Sequence, residues 1–182
     1  DKHPMEFTVR AIVFEGPEHY HKNINSPELD IDENCMLIIR GCGPIGYPGA
    51  AEVVNMQPPD HLLKKGITAL PTLGDGRQSG TSESASILNV SPEAAIGGKL
   101  SIIINNDLIK VDLKNKRVDL LVDELIIKER LSKSKFKYPE NQTPWQEISR
   151  EYTTQLSDGA TLNTKEEYLN ISNSKGLPRD NH

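Results

Sequence analysis

Glycines flank several polar side chains in residues 74–82, GDGRQSGTS, which follow a short apolar segment. Glycine lets the backbone approach a ligand closely and leaves successive N–H groups free to point at an anion. A serine in such a nest can have its alkoxide stabilised, so Ser79 is a candidate base or nucleophile. The alternative is an ordinary surface loop, because the segment matches neither a phosphate-binding loop nor a nucleophile elbow.

A second candidate lies in residues 46–52, GYPGAAE. A carboxylate in the first turn of a helix that follows a Gly/Pro turn suits a hard cation such as Mg²⁺, which takes one or two protein carboxylates. Glu52 is therefore a candidate metal ligand. The alternative is that Glu52 only interacts with the dipole of that helix, since one glutamate does not make a metal site.

Other polar segments favour structural roles. Residues 91–98, SPEAAIGG, predict a small helix capped by Ser91 and stopped by the glycine pair, although its N-terminus could also receive an anion. Residues 60–66 predict a short capped helix that ends at a glycine. Cys35 and Cys42 are too few for a disulfide framework or a four-ligand metal site, so we expect core or loop thiols. His19 and His21 point to different faces of a helix and make a poor metal pair.

Short strands must position these residues. Residues 9–14 and 36–40 predict buried strands on either side of a helix over 19–25, and ten of the 13 glycines then fall between positions 41 and 98. Residues 100–104, 108–113 and 117–122 predict meander strands joined by turns at 105–107 and 114–116. A helix over 123–131 follows, with Asp123 as its N-cap. We expect a barrel-like core that closes there, so that residues 1–131 form one domain.

Residues 132–182 predict an extended C-terminal tail. Five of the nine aromatic residues lie in it, whereas a disordered tail is poor in aromatics. Residues 143–146, TPWQ, have the pattern of a capping box and predict a short helix. We therefore expect the tail to pack on another protein surface.

Composition limits the functional class. The 182 residues include 21 basic and 26 acidic side chains, so the formal net charge of −5 argues against binding to nucleic acid or to an anionic membrane. No apolar run approaches the ~20 residues of a membrane span, and no secretion signal is visible. We expect a soluble, cytoplasmic protein, and the first residue, Asp1, suggests a processed or internal start within a longer polypeptide.

Taken together, five segments resemble the dihydroxy-acid and sugar-acid dehydratase family, which also includes phosphogluconate dehydratases. They are residues 12–16 (IVFEG), 38–41 (IIRG), 46–52, 76–81 (GRQSGT) and 91–98. The resemblance is to the C-terminal domain alone. It implies a mainly β fold with α-helices: a swivelling β-barrel (β/β/α) with flanking helices, followed by the extended tail. Within the family, Gln78 and residues 55–59, 143–148 and 178–182 are more similar to arabinonate and xylonate dehydratases.

The resemblance also implies a chemistry. In such enzymes the serine matching Ser79 is an alkoxide base that removes the C2 proton of a sugar acid, and the glutamate matching Glu52 completes a Mg²⁺ shell. Thr81 and the terminal His182 would contact the substrate. An iron–sulfur cluster, held by an N-terminal domain absent from this chain, would assist departure of the C3 hydroxyl. The product would be a 2-keto-3-deoxy acid, so the full-length protein would be a hydro-lyase.

Two other functions remain open at this point. One is a stand-alone module that binds an anion or sugar acid without chemistry, and the other is a dihydroxy-acid dehydratase of branched-chain amino-acid biosynthesis. For the dehydratase we expect an inactive isolated domain, whose partners are the sugar-acid substrate, the N-terminal cluster domain and further copies in a homo-oligomer. We expect no nucleic-acid or membrane partner.

Overall fold

The computed structural model describes residues 4–49, 52, 55–78, 84–140, 143–163, 170 and 173–174. The strands within these ranges are β1 (Glu6–Glu15), β2 (Cys35–Arg40), β3 (Thr72–Gly74), β4 (Ser86–Ile87), β5 (Leu108–Asp112) and β6 (Arg117–Leu120). The helices are α1 (Gly16–Asn23), α2 (Asp60–Leu63), α3 (Glu124–Lys133) and α4 (Pro144–Tyr152).

All six strands belong to one mixed sheet with the order β4-β3-β2-β1-β5-β6. The four strands from β1 to β4 pair in parallel, with Ile12 opposite Leu37 and Leu37 opposite Thr72. β5 and β6 add antiparallel on the other side of β1. The sheet curls into a half-barrel with a few helices, which confirms the mainly β fold class with α-helices.

Both faces of the central strands are buried, and this explains their continuous apolar sequences. Along β1, Val9, Ala11 and Val13 pack into one hydrophobic cluster, which extends to β5. The alternate residues Ile12 and Phe14 pack into a second cluster on the opposite face, under α1 and α2. The predicted strands at 9–14 and 36–40 are therefore confirmed, and β1 extends beyond the predicted range at both ends.

Four of the predicted helices are present with shifted bounds. α1 begins at Gly16 instead of residue 19, because Pro17 in the first turn is already compatible with a helical backbone. The Asp123 carboxylate accepts a hydrogen bond from the Leu125 N–H at 2.8 Å, which confirms it as the N-cap of α3. Thr143 caps α4 in the predicted capping box. α2 follows Pro59 without a side-chain cap.

The β5–β6 hairpin is confirmed. Lys116 closes its turn with a φ of +54°, and the Asp112 carboxylate accepts the Asn115 N–H at 2.9 Å. Asparagine and aspartate suit such turns because their side chains bond to the local backbone. Asn106 also has a positive φ, of +73°, in the turn that precedes β5.

The predicted strand over residues 100–104 is wrong. This segment forms a 3₁₀ helix, Lys99–Ile102, whose Leu100 and Ile102 side chains are buried in the core. A short apolar run fits a buried turn as well as a strand, and periodicity alone does not separate the two. The Asp107 carboxylate accepts the Ile104 N–H at 2.9 Å and so stabilises the turn that follows.

The predicted serine cap at Ser91 is also wrong. Ser91 precedes Pro92 in a cis peptide bond, and the helical segment is a single 3₁₀ turn, Ala94–Ile96, without a side-chain cap. The Ser91 hydroxyl instead donates to the Ser157 hydroxyl at 3.3 Å. Gly97 does stop the turn as expected, with a φ of +87°.

Among the described residues, no helix combines the length and the apolar character needed to cross a membrane.

Candidate functional site

The carboxyl ends of the parallel strands meet at one edge of the sheet. β1 ends at Glu15, β2 runs into Gly41, and β3 runs into Asp75. In open sheets with parallel strands, ligands bind outside this edge because the loops that leave it converge there. The segments that lead to Glu52 and to Ser79 leave the sheet at this edge.

Asp75 joins three of these segments. Its side chain has no solvent exposure, and its carboxylate accepts N–H groups from Gly41 at 3.0 Å, Cys42 at 2.9 Å and Ala94 at 2.9 Å. Burial raises the pKa of Asp75, while the three N–H bonds act in the opposite direction. The residue is therefore a structural hub between the segments that leave β2 and β3 and the 91–98 segment.

Glu93 is a second fully buried carboxylate beside this hub. It accepts the N–H of Ile45 at 3.1 Å and of Gly46 at 2.8 Å, and the side-chain amide of Gln155 at 2.8 Å. A Cβ on Gly43 would lie 2.4 Å from a Glu93 carboxylate oxygen, so only glycine fits there. The sequence-based prediction of a simple capped helix did not foresee this role for the glutamate.

Residues 41–46 are named here the β2 loop. Four of its backbone N–H groups, at positions 41, 42, 45 and 46, bind the two buried carboxylates. Consecutive free N–H groups would form an anion site, but here the anions are the protein's own side chains. The β2 loop is therefore fixed internally and is not an anion-binding nest.

A pocket of about 740 Å³ lies beside the β2 loop, lined by the ends of β1 and β2 and by residues 134–140. Its charged lining residues are balanced: they are Glu15, Glu18, Glu140, Arg40, Lys135 and Lys137. The Arg40 guanidinium is engaged internally, by Glu15 and by the carbonyls of Leu100 and Ile103 at 2.9 and 2.8 Å. Charge alone therefore does not select an acidic ligand for this pocket.

Residues 134–140 cover one side of the pocket. A Cβ on Gly41 would lie 2.5 Å from the Phe136 ring, and Gly41 has a φ of +74°, so glycine is required on both counts. The Tyr138 hydroxyl donates to the Ala95 carbonyl at 3.1 Å, and the Arg150 guanidinium lies over the Tyr138 ring. The described part of the tail thus packs on the loops of the sheet edge.

The predicted site residues are only partly within the described ranges. Glu52 is exposed and lies in irregular chain, so the predicted helix around it is not found at that residue. Ser79, Thr81 and His182 lie outside the described residues. Gln78, directly before Ser79, is 8% exposed, and neither atom of its side-chain amide has a hydrogen-bond partner among the described residues. An unpaired buried amide is costly, so a polar partner beyond the described residues is expected for this group.

The two cysteines are buried thiols, as expected. Burial raises the pKa of Cys35 to about 11, and burial together with the nearby Asp75 raises the pKa of Cys42 further. Iron–sulfur clusters are bound by thiolates, so neither cysteine fits a cluster ligand. Among the described residues, no group of three or more histidines, cysteines, aspartates and glutamates is placed to hold a metal ion.

Comparison with known families decides the classification. Residues 1–160 match the family described as dihydroxy-acid/6-phosphogluconate dehydratase C-terminal. The chain belongs to this family. The resemblance inferred from the five sequence segments is thereby confirmed.

The relatives of this dehydratase C-terminal domain include sugar-acid dehydratases. The chain is 57% identical to the D-xylonate dehydratase of Caulobacter vibrioides over 176 residues, which are 97% of this chain and 29% of that protein. It is 46% identical to the L-arabinonate dehydratase of Rhizobium leguminosarum bv. trifolii over 68% of this chain and 21% of that protein. A dihydroxy-acid dehydratase of Pyrococcus abyssi is 42% identical over 74% of this chain and 24% of that protein. The chain thus spans less than a third of the length of these relatives.

Sequence reasoning about the dehydratase domain missed its two buried carboxylates. Asp75 lies 33 and 34 residues from its partners in the β2 loop, and Glu93 lies 47 and 48 residues from its own. For Asp75 the available signal was an acidic residue between two glycines, a pattern that is also typical of an exposed loop. Gln155 gave no signal, because a lone glutamine is ordinary on a surface.

Proposed function

We propose that this chain is the substrate-covering C-terminal domain of a dehydratase that removes water from a pentonate sugar acid. The observation that carries the proposal is the 57% identity with a D-xylonate dehydratase over 97% of the chain. Identity with a dihydroxy-acid dehydratase is lower, at 42% over 74% of the chain. A pentonate is therefore favoured over a branched-chain dihydroxy acid as the substrate.

In the proposed reaction, Ser79 acts as the base. Its alkoxide takes the C2 proton of the substrate, and the electron pair left at C2 forms the C2–C3 double bond. The C3 hydroxyl leaves with its bonding electrons and takes up one proton, so that water is released. In net terms this proton balances the one removed from C2, and Ser79 returns to its alkoxide form. The resulting enol tautomerises to a 2-keto-3-deoxy acid. Thr81 and His182 would contact substrate hydroxyls and hold the sugar acid in the orientation that this step requires.

Ser79 needs activation to serve as this base. An unperturbed serine is far too weak an acid to ionise near neutral pH, so N–H groups and a nearby cation must stabilise its alkoxide. The N–H groups of the β2 loop do not supply this stabilisation, because Asp75 and Glu93 already occupy them. The proposal therefore assigns it to the glycine-rich segment around Ser79 itself.

Glu52 would contribute one ligand to a bound Mg²⁺. An exposed carboxylate is the type of ligand that Mg²⁺ prefers, and the remaining ligands would come from the N-terminal domain and from substrate. When bound, the cation would stabilise the negative charge that develops on the substrate after C2 deprotonation. Glu52 itself does not move a proton in this scheme.

The iron–sulfur cluster of the proposed enzyme would belong to the N-terminal domain. The buried, protonated thiols of Cys35 and Cys42 do not fit a cluster, so we derive no step through it from this chain.

Exposed apolar side chains support contact with another protein surface. Leu125 on α3 is 74% exposed and Trp145 on α4 is 76% exposed. We propose that these faces meet the N-terminal domain or a second subunit of a homo-oligomer. Light scattering of the full-length protein tests for the oligomer, and a monomer at micromolar concentration would contradict it.

The test of the function is a Ser79→Ala variant of the full-length protein that carries this domain. We expect dehydration of D-xylonate or L-arabinonate by the wild type and a loss of at least roughly 10²–10⁴-fold in the variant, as for removal of a general base. Ser132→Ala is the matched control, because the Ser132 hydroxyl is exposed and, within the described part of the chain, donates to the Glu129 carbonyl of its own helix. A Ser79→Ala rate within a few-fold of wild type would exclude Ser79 as the base. Ligand binding without turnover in the wild type would favour the binding-module alternative.

A further inference from the structure

Gln155 in the tail forms a reciprocal pair with Glu93. The Gln155 side-chain N–H donates to the Glu93 carboxylate at 2.8 Å, and the Glu93 backbone N–H donates to the Gln155 side-chain oxygen at 3.0 Å. The backbone of Gln155 is fixed in turn, since its carbonyl accepts N–H groups from Asp158 and Ala160, both at 2.9 Å. The backbone and the side-chain amide of Gln155 are therefore both held by hydrogen bonds, and the amide faces Glu93 in one orientation.

Glu93 transmits this contact to the β2 loop. The same carboxylate that binds Gln155 accepts the N–H groups of Ile45 and Gly46. Without the amide of Gln155, a fully buried carboxylate would lose its only side-chain donor among the described residues. A buried charge with fewer hydrogen bonds draws in water or moves, and either change disturbs the loop that it holds.

A second contact from the tail holds the same part of the loop from the other side. The Arg150 guanidinium donates to the Ile45 carbonyl at 3.0 Å and lies 4.8 Å from the centre of the Tyr138 ring. The N–H of Ile45 thus binds the carboxylate supported by Gln155, while its carbonyl binds Arg150. Two side chains of the tail therefore act on one residue of the β2 loop.

We infer that Gln155 is a positioning residue, through which the C-terminal tail sets the geometry of the β2 loop that leads to Glu52. Its effect on the loop is a property of this chain alone. Any consequence for turnover rests on the proposed function, because it assumes that Glu52 binds the cation of a dehydratase.

The experiment is amide hydrogen exchange in this chain, compared between wild type and Gln155→Met. Methionine has a similar size but offers no donor for the Glu93 carboxylate and only a weak sulfur acceptor for the Glu93 N–H. We expect exchange at Ile45 and Gly46 to accelerate roughly tenfold or more, since local opening governs exchange at loop amides. Exchange at Ile12 and Ile38, in the central strands, should stay within about threefold. The matched control is Ser157→Ala, which removes a neighbouring tail contact, to Ser91, but leaves Glu93 untouched.

Each outcome decides the inference. Acceleration confined to the β2 loop supports it. Unchanged exchange at Ile45 and Gly46 overturns it, and so does an equal acceleration at all amides, which would mark Gln155 as a general contributor to stability. If Gln155→Met does not fold, Gln155→Asn replaces it. The shorter asparagine amide cannot reach both the carboxylate and the backbone N–H of Glu93, so the same loop-specific change is expected.

A second measurement separates this inference from the proposed function. In the full-length protein, Gln155→Met should raise the Mg²⁺ concentration for half-maximal dehydration several-fold, while Ser157→Ala should not. If the wild-type protein dehydrates no sugar acid, the proposed function fails, yet the exchange experiment still decides the role of Gln155. If turnover is normal and its Mg²⁺ dependence is unchanged in Gln155→Met, the link from the loop to Glu52 is wrong.

Discussion

Replacing Asp75 by alanine should remove a large part of the stability of this domain. The carboxylate is fully buried and accepts three backbone N–H groups, from Gly41, Cys42 and Ala94. Each buried donor left unpaired costs roughly 1–3 kcal/mol. One water molecule in the vacated space can accept two of the three N–H groups, so at least one donor remains unpaired. Loss of the carboxyl group also leaves a cavity beside the loop, and we therefore expect a total loss of about 3 kcal/mol.

Urea unfolding of this chain, followed by circular dichroism, measures the loss. With a denaturant slope of about 2 kcal/mol per molar, the unfolding midpoint should fall by about 1.5 M. The matched control is Asp158→Ala, because Asp158 is exposed in the turn after α4. We expect it to change the free energy of unfolding by less than about 0.5 kcal/mol. Equal midpoints for Asp75→Ala and Asp158→Ala would refute the assignment of Asp75 as a hub.

The pH dependence of the free energy of unfolding separates the contribution of the Asp75 charge from that of its hydrogen bonds and packing. Burial raises the pKa of Asp75 in the folded state, so its contribution is fully present below the unfolded pKa and is lost as the pH rises through the raised folded pKa. Asp75→Asn removes this titration. The free energy of unfolding of the wild type should therefore fall relative to that of Asp75→Asn as the pH rises from about 4 to 7. A constant difference would show that the folded pKa is not raised.

Three further predictions concern other residues. In the full-length enzyme, Glu52→Gln should weaken Mg²⁺ binding with partial rescue at high Mg²⁺, because an amide oxygen is a poorer ligand for this cation than a carboxylate; superimposable metal titrations would leave Glu52 without a metal role. Deleting residues 176–182 should raise KM or lower kcat without a change in melting temperature if His182 contacts substrate, and unchanged kinetics would exclude that contact. Cys35 and Cys42 should resist alkylation at pH 8 in the folded chain and react on unfolding, since burial raises both thiol pKa values; rapid labelling of the native chain would contradict their burial.

The elements of the fold could be predicted where local sequence determines them. β1 and β2 follow from apolar runs between turn residues, and the cap of α3 follows from Asp123 in front of a helical segment. The segment at residues 100–104 could not be separated from a strand, because its burial depends on neighbours that are distant in sequence.

The candidate site was predictable only in part. The sequence pattern pointed to the segments around Ser79 and Glu52, but the contacts that organise the sheet edge are long-range. Asp75 and Glu93 bind N–H groups of a loop that lies more than 30 residues away in sequence. The local sequence around a buried, hydrogen-bonded carboxylate can be the same as that around a solvated one. Only the folded structure therefore distinguishes the two.

The paired N–H groups of the β2 loop have a consequence for ligand affinity. Ordering a loop costs conformational entropy, and a loop that becomes ordered only when a ligand arrives subtracts that cost from the binding free energy. Here Asp75 and Glu93 order residues 41–46 during folding. The β2 loop is therefore already ordered when a ligand binds at this edge of the sheet. The affinity of that ligand is not reduced by the entropy cost of ordering the loop.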